Sequence, residues 1–255
     1  MTAKLFTAAL SVALLLPLTV SAQDGYPTMG VSHWKCDFSY VGDLVQEMND
    51  VGLPIAQEMV DDGTIVNWGM MTHLFGDEWN VLFYVATPPG APFIERATEL
   101  QSAQLGALGD ESNARFVEHC TEHKDSIYTW NFSTQGGTPG DNTTMALSFW
   151  KCNFGALGSL MNAVEETGLP VAQEMVDDGD IFAWGAMTHN WGDEWNVMFY
   201  SATPDESSFM DATSELQSRQ FQAYGEELIN EFGASCWGHR DSIYSMRLFT
   251  SPSGE

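Results

Sequence analysis

Apolar residues at Val41, Leu44, Val45 and Met48 follow helical spacing, and Leu157, Leu160, Met161 and Val164 repeat that pattern 116 residues later. The same offset carries Trp34-Lys35-Cys36 onto Trp150-Lys151-Cys152 and Ala56 to Gly63 onto Ala172 to Gly179. It also carries Gly76-Asp77-Glu78-Trp79-Asn80-Val81 onto Gly192 to Val197, and Asp125 to Tyr128 onto Asp241 to Tyr244. So long a gapless correspondence marks an internal duplication. In each copy the pattern predicts a strand (Val31 to Phe38), a helix interrupted at Gly52-Leu53-Pro54, and a short second helix ending at Gly63. A hairpin follows, with Ile65 to Thr72 and Trp79 to Ala86 flanking Gly76-Asp77. A long helix from Phe93 to about Cys120 and a last strand from Ser126 to Phe132 complete the unit.

The predicted order, βαββαβ, is the ferredoxin-like unit. Its sheet carries helices on one face and leaves the other, with Tyr84, Tyr128 and Trp130, uncovered. Two units therefore bury these aromatic faces against each other. The expected fold is α+β: two tandem ferredoxin-like repeats packed sheet to sheet on one chain. In this order and duplication the chain resembles the dimeric α+β barrel superfamily, with its NIPSNAP-like, EthD-like and antibiotic-biosynthesis-monooxygenase-like members. The resemblance spans nearly all of the chain after its first residues and implies a barrel. It suggests cofactor-independent monooxygenation as one activity, relying on Asn, Trp and His positioning, for which Asn80, Trp68 and His73 offer the residue types.

Lys4, the apolar run Leu5 to Val20 and the small residues at Ser21-Ala22 have the layout of a secretory signal peptide. The expected organisation is a signal peptide at 1–22, a first repeat at 28–133, a Gly/Thr/Asn-rich linker at 134–143 and a second repeat at 144–250. Cleavage near Ala22 would release an exported protein, periplasmic or extracellular, and monomeric with two pseudo-symmetric halves. Four cysteines, two per repeat, fit that setting. Cys36 shares the apolar strand face of Trp34 and Phe38, and Cys120 lies near the end of the long helix expected to cover it. The expected pairs are Cys36–Cys120 and Cys152–Cys236, with buried free thiols as the alternative. Each bridge would close a loop of about 85 residues, worth at most about 4–5 kcal/mol.

Charge changes the picture of partners. With 35 Asp+Glu against 9 Lys+Arg the formal net charge is -26, which repels nucleic-acid phosphates and anionic lipid headgroups. No second segment is long and apolar enough to span a bilayer. P-loop, Gly-x-Ser-x-Gly and dinucleotide glycine motifs are absent from the sequence, as is a Cys-x-x-Cys-His haem attachment. Asp61-Asp62-Gly63 lacks the later ligands of an EF-hand, and no metal site is expected. Glu58 and Glu174 fall on the solvent side of their helices.

Strand alternation aims Asn80, Tyr84 and Tyr128 into the barrel, with Lys35 on the inner face of the first strand; Asn196, Tyr200, Tyr244 and Lys151 are their twins. Two readings are open: these groups line a cavity between the repeats for a small apolar or aromatic ligand, or they satisfy one another across the sheets. His73 and His189, each close to the Gly-Asp-Glu turn, are candidate proton-transfer groups, with Asn80 and Asn196 as further catalytic candidates. Ordinary turn chemistry is the other reading of that motif. His123 and His239 are expected at helix C-termini, as dipole partners or as acid/base or haem-ligating residues. The functions in view are therefore small-molecule binding, a monooxygenase-like enzyme, and a structural or interaction module. No cofactor is specified.

Overall fold

The computed structural model describes residues 25–137, 140, 142–192 and 194–250, so the expected signal peptide lies outside the described residues. The first repeat runs β1 (Thr28–Cys36), α1 (Phe38–Glu47), a π-helical turn (Met48–Gly52), α2 (Leu53–Asp61), β2 (Asn67–Phe75), β3 (Val81–Thr87), α3 (Phe93–His119) and β4 (Cys120–Ser133). The second runs β5 (Thr144–Cys152), a short 3₁₀ turn, α4 (Leu157–Asp177), β6 (Ala183–Trp191), β7 (Val197–Thr203), α5 (Glu206–Ser235) and β8 (Cys236–Phe249). The strands close into one antiparallel barrel in the order β1-β3-β2-β8-β5-β7-β6-β4. Each repeat contributes four neighbouring strands, and the seams are β2 against β8 and β4 against β6. Both seams are antiparallel, which a two-fold along the barrel axis produces and a two-fold across it does not. Equivalent strand ends of the two repeats thus meet at the same end of the barrel.

Alternation sorts side chains between two kinds of core. In β3, Val81, Phe83 and Val85 face the helices, whereas Leu82, Tyr84 and Ala86 face the barrel axis. The barrel interior is filled by Met, Leu, Phe and Tyr side chains of both repeats, including Tyr84, Tyr128 and Trp130. Burying these faces removes two aromatic sheet surfaces from water, which drives closure. The ring of Tyr84 lies over its register partner Gly69, and Tyr200 lies over Gly185. A Cβ at either glycine would fall inside van der Waals contact with the ring, so only glycine admits the tyrosine.

Several elements differ from expectation. Phe38 opens α1 and is 81% exposed, so it shares no strand face with Cys36. In the first repeat Leu53-Pro54 opens α2 as expected, with Pro54 in its first turn, but no loop separates the helices. A π-helical turn carries α1 into α2, and α4 continues through Pro170. The Gly52 carbonyl accepts a hydrogen bond from Gln104 Nε2 at 2.9 Å. β4 starts at Cys120 rather than Ser126, because its polar first half pairs with β1 down to Cys36. The disulfides are Cys36–Cys120 and Cys152–Cys236. Each joins register partners on neighbouring strands, not a strand to a helix. Glu58 and Glu174 are exposed. Among the described residues no helix is long and apolar enough to cross a membrane.

Candidate functional site

The Gly76-Asp77 turn bends at a glycine with φ 117° and reaches across the seam into the other repeat. A Cβ on Gly76 would collide with the Asp241 carbonyl oxygen and crowd Ser242 Cα, so the approach requires glycine. The Asp77 side chain is fully buried. Its carboxylate accepts from Ser242 Oγ at 2.7 Å, from the Tyr244 hydroxyl at 3.1 and 3.2 Å, and from the Trp79 backbone N–H at 3.1 Å. Arg240 Nη2 and His73 Nε2 both stand 3.9 Å away, and the His73 ring meets Tyr244 edge-on. Burial first, then the Asp77 charge, pushes the Tyr244 phenol far above its ordinary value of 10.0, so this hydroxyl remains a donor. In the other copy, Gly192 presses on the Asp125 carbonyl and His189 packs edge-on against Tyr128. This repeated motif therefore forms a junction between the repeats, polar around Asp77.

The remaining candidates separate. Asn80 clasps the backbone of Cys36, accepting from its N–H at 2.8 Å and donating to its carbonyl at 2.6 Å. Asn196 does the same to Cys152. These amides hold the disulfide-bearing strand ends and do not project into the barrel. Lys35 sits at the barrel end over the Trp79 ring and pairs with Glu122, and Lys151 lies over Trp195 and pairs with Glu194. Tyr84 is half-buried and Tyr200 buried, and desolvation raises both phenols above their ordinary value. Each also lines concave space within its own repeat. Thus Lys35 and Asn80 stand apart from Tyr84 and Tyr128, which pack together with the side chains of the barrel interior. His123 and His239 belong to strands rather than helix ends. They stack on Trp34 and Trp150 with ring centroids 4.4 and 4.5 Å apart. Among the described residues no group of three or more His, Cys, Asp or Glu is placed to hold a metal ion.

Concave space lies elsewhere, between each long helix and the outer face of its own sheet. The first cleft, about 460 Å³, is walled by Trp34, Trp68, Phe83 and Phe116, with Gln104 at its floor. The second, about 710 Å³, is walled by Trp150, Trp184, Phe199 and Phe232, with Gln220 and Tyr224. Ser201 and Gly233 of the second cleft replace Val85 and Val117 of the first. Both helices bend over the clefts at a left-handed glycine, Gly109 (φ 77°) and Gly225 (φ 66°). At the mouth of the second cleft His239 Nε2 lies 3.0 Å from Asp241 Oδ2. The sequence signal for these clefts was a glutamine four residues after Leu100 and Leu216 on the helix face that packs inward.

Solved structures share this architecture. A proposed monooxygenase from Lactobacillus acidophilus aligns at TM-score 0.63 and 10% identity over 89% of this chain and 97% of its own. An anthrone oxidase-like protein aligns at 0.57 and 14% over 92% and 97%. Chlorite dismutase from Candidatus Nitrospira defluvii aligns at 0.54 and 11% over 88% and 92%. This is the dimeric α+β barrel fold. Here the two halves of the barrel are tandem repeats of one chain. At these identities the likeness to other dimeric α+β barrels is one of fold, since unrelated chemistries share such scaffolds. No family model and no curated relative matches the chain.

Proposed function

We propose that this protein binds a small apolar or aromatic molecule in the clefts between its long helices and the barrel, with the larger second cleft as the principal site. The observation that carries the reading is the pair of concave, tryptophan-walled spaces of 460 and 710 Å³, each with a glutamine at its floor. That size, apolar wall and sparse polar lining are what small-ligand sites require. The reading moves the ligand from between the repeats to within each of them, because the space between the sheets is occupied by packed side chains.

Titration with the neutral fluorophore N-phenyl-1-naphthylamine tests this. Saturable binding is expected, and Thr213→Trp, which fills the second cleft, is expected to weaken it at least about tenfold, roughly 1.4 kcal/mol. Ala97→Trp should act likewise on the first cleft. Both variants should melt within a few degrees of the parent. Absence of saturable binding, or binding indifferent to both fillings, overturns the reading.

A monooxygenase-like enzyme is the second reading. It is favoured by the His239–Asp241 pair at the cleft mouth, placed to take a proton from a bound phenol or enol. Consumption of oxygen by the protein with a hydroxylated polycyclic substrate, lost in His239→Ala, would select it over binding alone. Export belongs to the same proposal. The two disulfides support it, since such bonds persist in oxidising compartments. N-terminal sequencing of the mature protein should begin near Gln23, and an intact Met1 would refute cleavage.

A further inference from the structure

We infer that the clefts select a cationic aromatic amphiphile, an inference that rests on the binding reading above and specifies its ligand. The charged side chains lining the first cleft are Asp125 and Glu47, the latter already paired with Arg115, and in the second Asp241 stands with His239; no lysine or arginine is among the residues lining either cleft. An anionic ligand would therefore enter beside Asp125 or Asp241 with no lysine or arginine among the lining residues to receive it, at an electrostatic cost. A cation meets the reverse situation.

The walls favour the same charge. Indole and phenyl rings present negative faces, which attract a delocalised cation. Each cleft wall carries several, Trp34, Trp68 and Phe83 in one and Trp150, Trp184 and Phe199 in the other, with one face of Trp34 and of Trp150 already holding a histidine ring. The protein already uses this contact at the barrel end, where the Arg240 guanidinium lies 4.9 Å from the Phe149 ring centre and Lys151 lies 4.6 Å from that of Trp195.

The helices that roof the clefts extend the field outward. α5 carries Glu206, Asp211, Glu215, Glu226, Glu227 and Glu231, and its single base, Arg219, is held by Glu215 at 2.7 Å. α3 carries Glu95, Glu99, Asp110, Glu111 and Glu118, and its Arg96 and Arg115 are paired with Glu99 and Glu47. With a net charge of -26 behind them, the mouths concentrate cations and repel anions, an effect that salt screens. Exposed Ile94 and Leu105 at the first mouth and Met210 and Phe221 at the second supply an apolar rim for the body of such a ligand.

Three probes on one tricyclic frame test the inference: 9-aminoacridine (cationic), 9-anthracenemethanol (neutral) and anthracene-9-carboxylate (anionic). At low ionic strength the cation is expected to bind the full chain at least about tenfold tighter than the anion, with the neutral probe between them. The gap should narrow as salt rises to about 0.5 M, and it should narrow in Asp241→Asn. The Ala97→Trp/Thr213→Trp double variant should abolish saturable binding of the cation. Cation binding that survives the filled clefts would be condensation on the acidic surface and would overturn the inference. Equal or tighter binding of the anion would also overturn it while leaving the clefts as binding sites. Failure of all three probes to bind would instead overturn the binding reading itself.

Discussion

Asp77→Ala is expected to destabilise the folded chain by about 3–5 kcal/mol, the range for removing one partner from a buried polar cluster. The substitution strips the Ser242 and Tyr244 hydroxyls of their acceptor and leaves Arg240 beside an empty space, all in the opposite repeat. Each buried hydroxyl without a partner costs about 1–3 kcal/mol, and the cavity adds to this. Asp77→Asn keeps one acceptor oxygen and the volume, so its cost should be smaller, about 1–2 kcal/mol. Urea unfolding of the three proteins measures the series. Because the contact joins the repeats, the alanine variant should also loosen the β2–β8 seam selectively, seen as faster amide exchange in Met70 to Phe75 and Ile243 to Leu248. A variant as stable as the parent would remove the junction role and return the Gly-Asp-Glu motif to the list of catalytic candidates.

The second large effect is expected from the disulfides. Each bridge spans 84 positions, and closing so long a loop in the unfolded chain is worth at most about 4–5 kcal/mol. Cys36→Ala with Cys120→Ala should lower the melting temperature by at most about 8–20 °C for a chain of this size, at 2–4 °C per kcal/mol. The loss should be similar for the Cys152 and Cys236 pair, because Asn80 and Asn196 clasp both strand ends identically. Reduction of the unaltered protein should reproduce the combined loss. Peptide mapping that joined Cys36 to Cys152, or found free thiols, would contradict the pairing.

These two sets of residues show how differently the chain announces its parts. The gapless repeat, the βαββαβ order and the inward alternation of Leu82, Tyr84 and Ala86 were legible, because periodicity and offset are local properties of a sequence. The pairing of the cysteines was legible from the apolar face of the first strand and the end of the long helix, since the duplication by itself treats all three pairings alike. The route was not, since Cys120 begins β4 and meets Cys36 as a register partner. Polar segments such as Thr121 to Asp125 carry no apolar alternation, so nothing local marks them as strand.

What the sequence by itself determined, then, is a duplicated α+β unit with one aromatic sheet face in need of a partner and cysteines set in pairs. Tertiary structure alone decided where polar groups end up. Asp77 reaches Ser242 and Tyr244 across 165 and 167 positions, Asn80 spends its amide on Cys36, and Lys35 settles over Trp79. It also decided that the open space lies under α3 and α5, where bent helices stand off the sheet, and not along the barrel axis. The physical reason is common to all of these. Burial of apolar area is non-directional and follows from pattern alone, whereas a hydrogen bond or a cavity depends on angstrom-level placement of groups that only the closed barrel brings together.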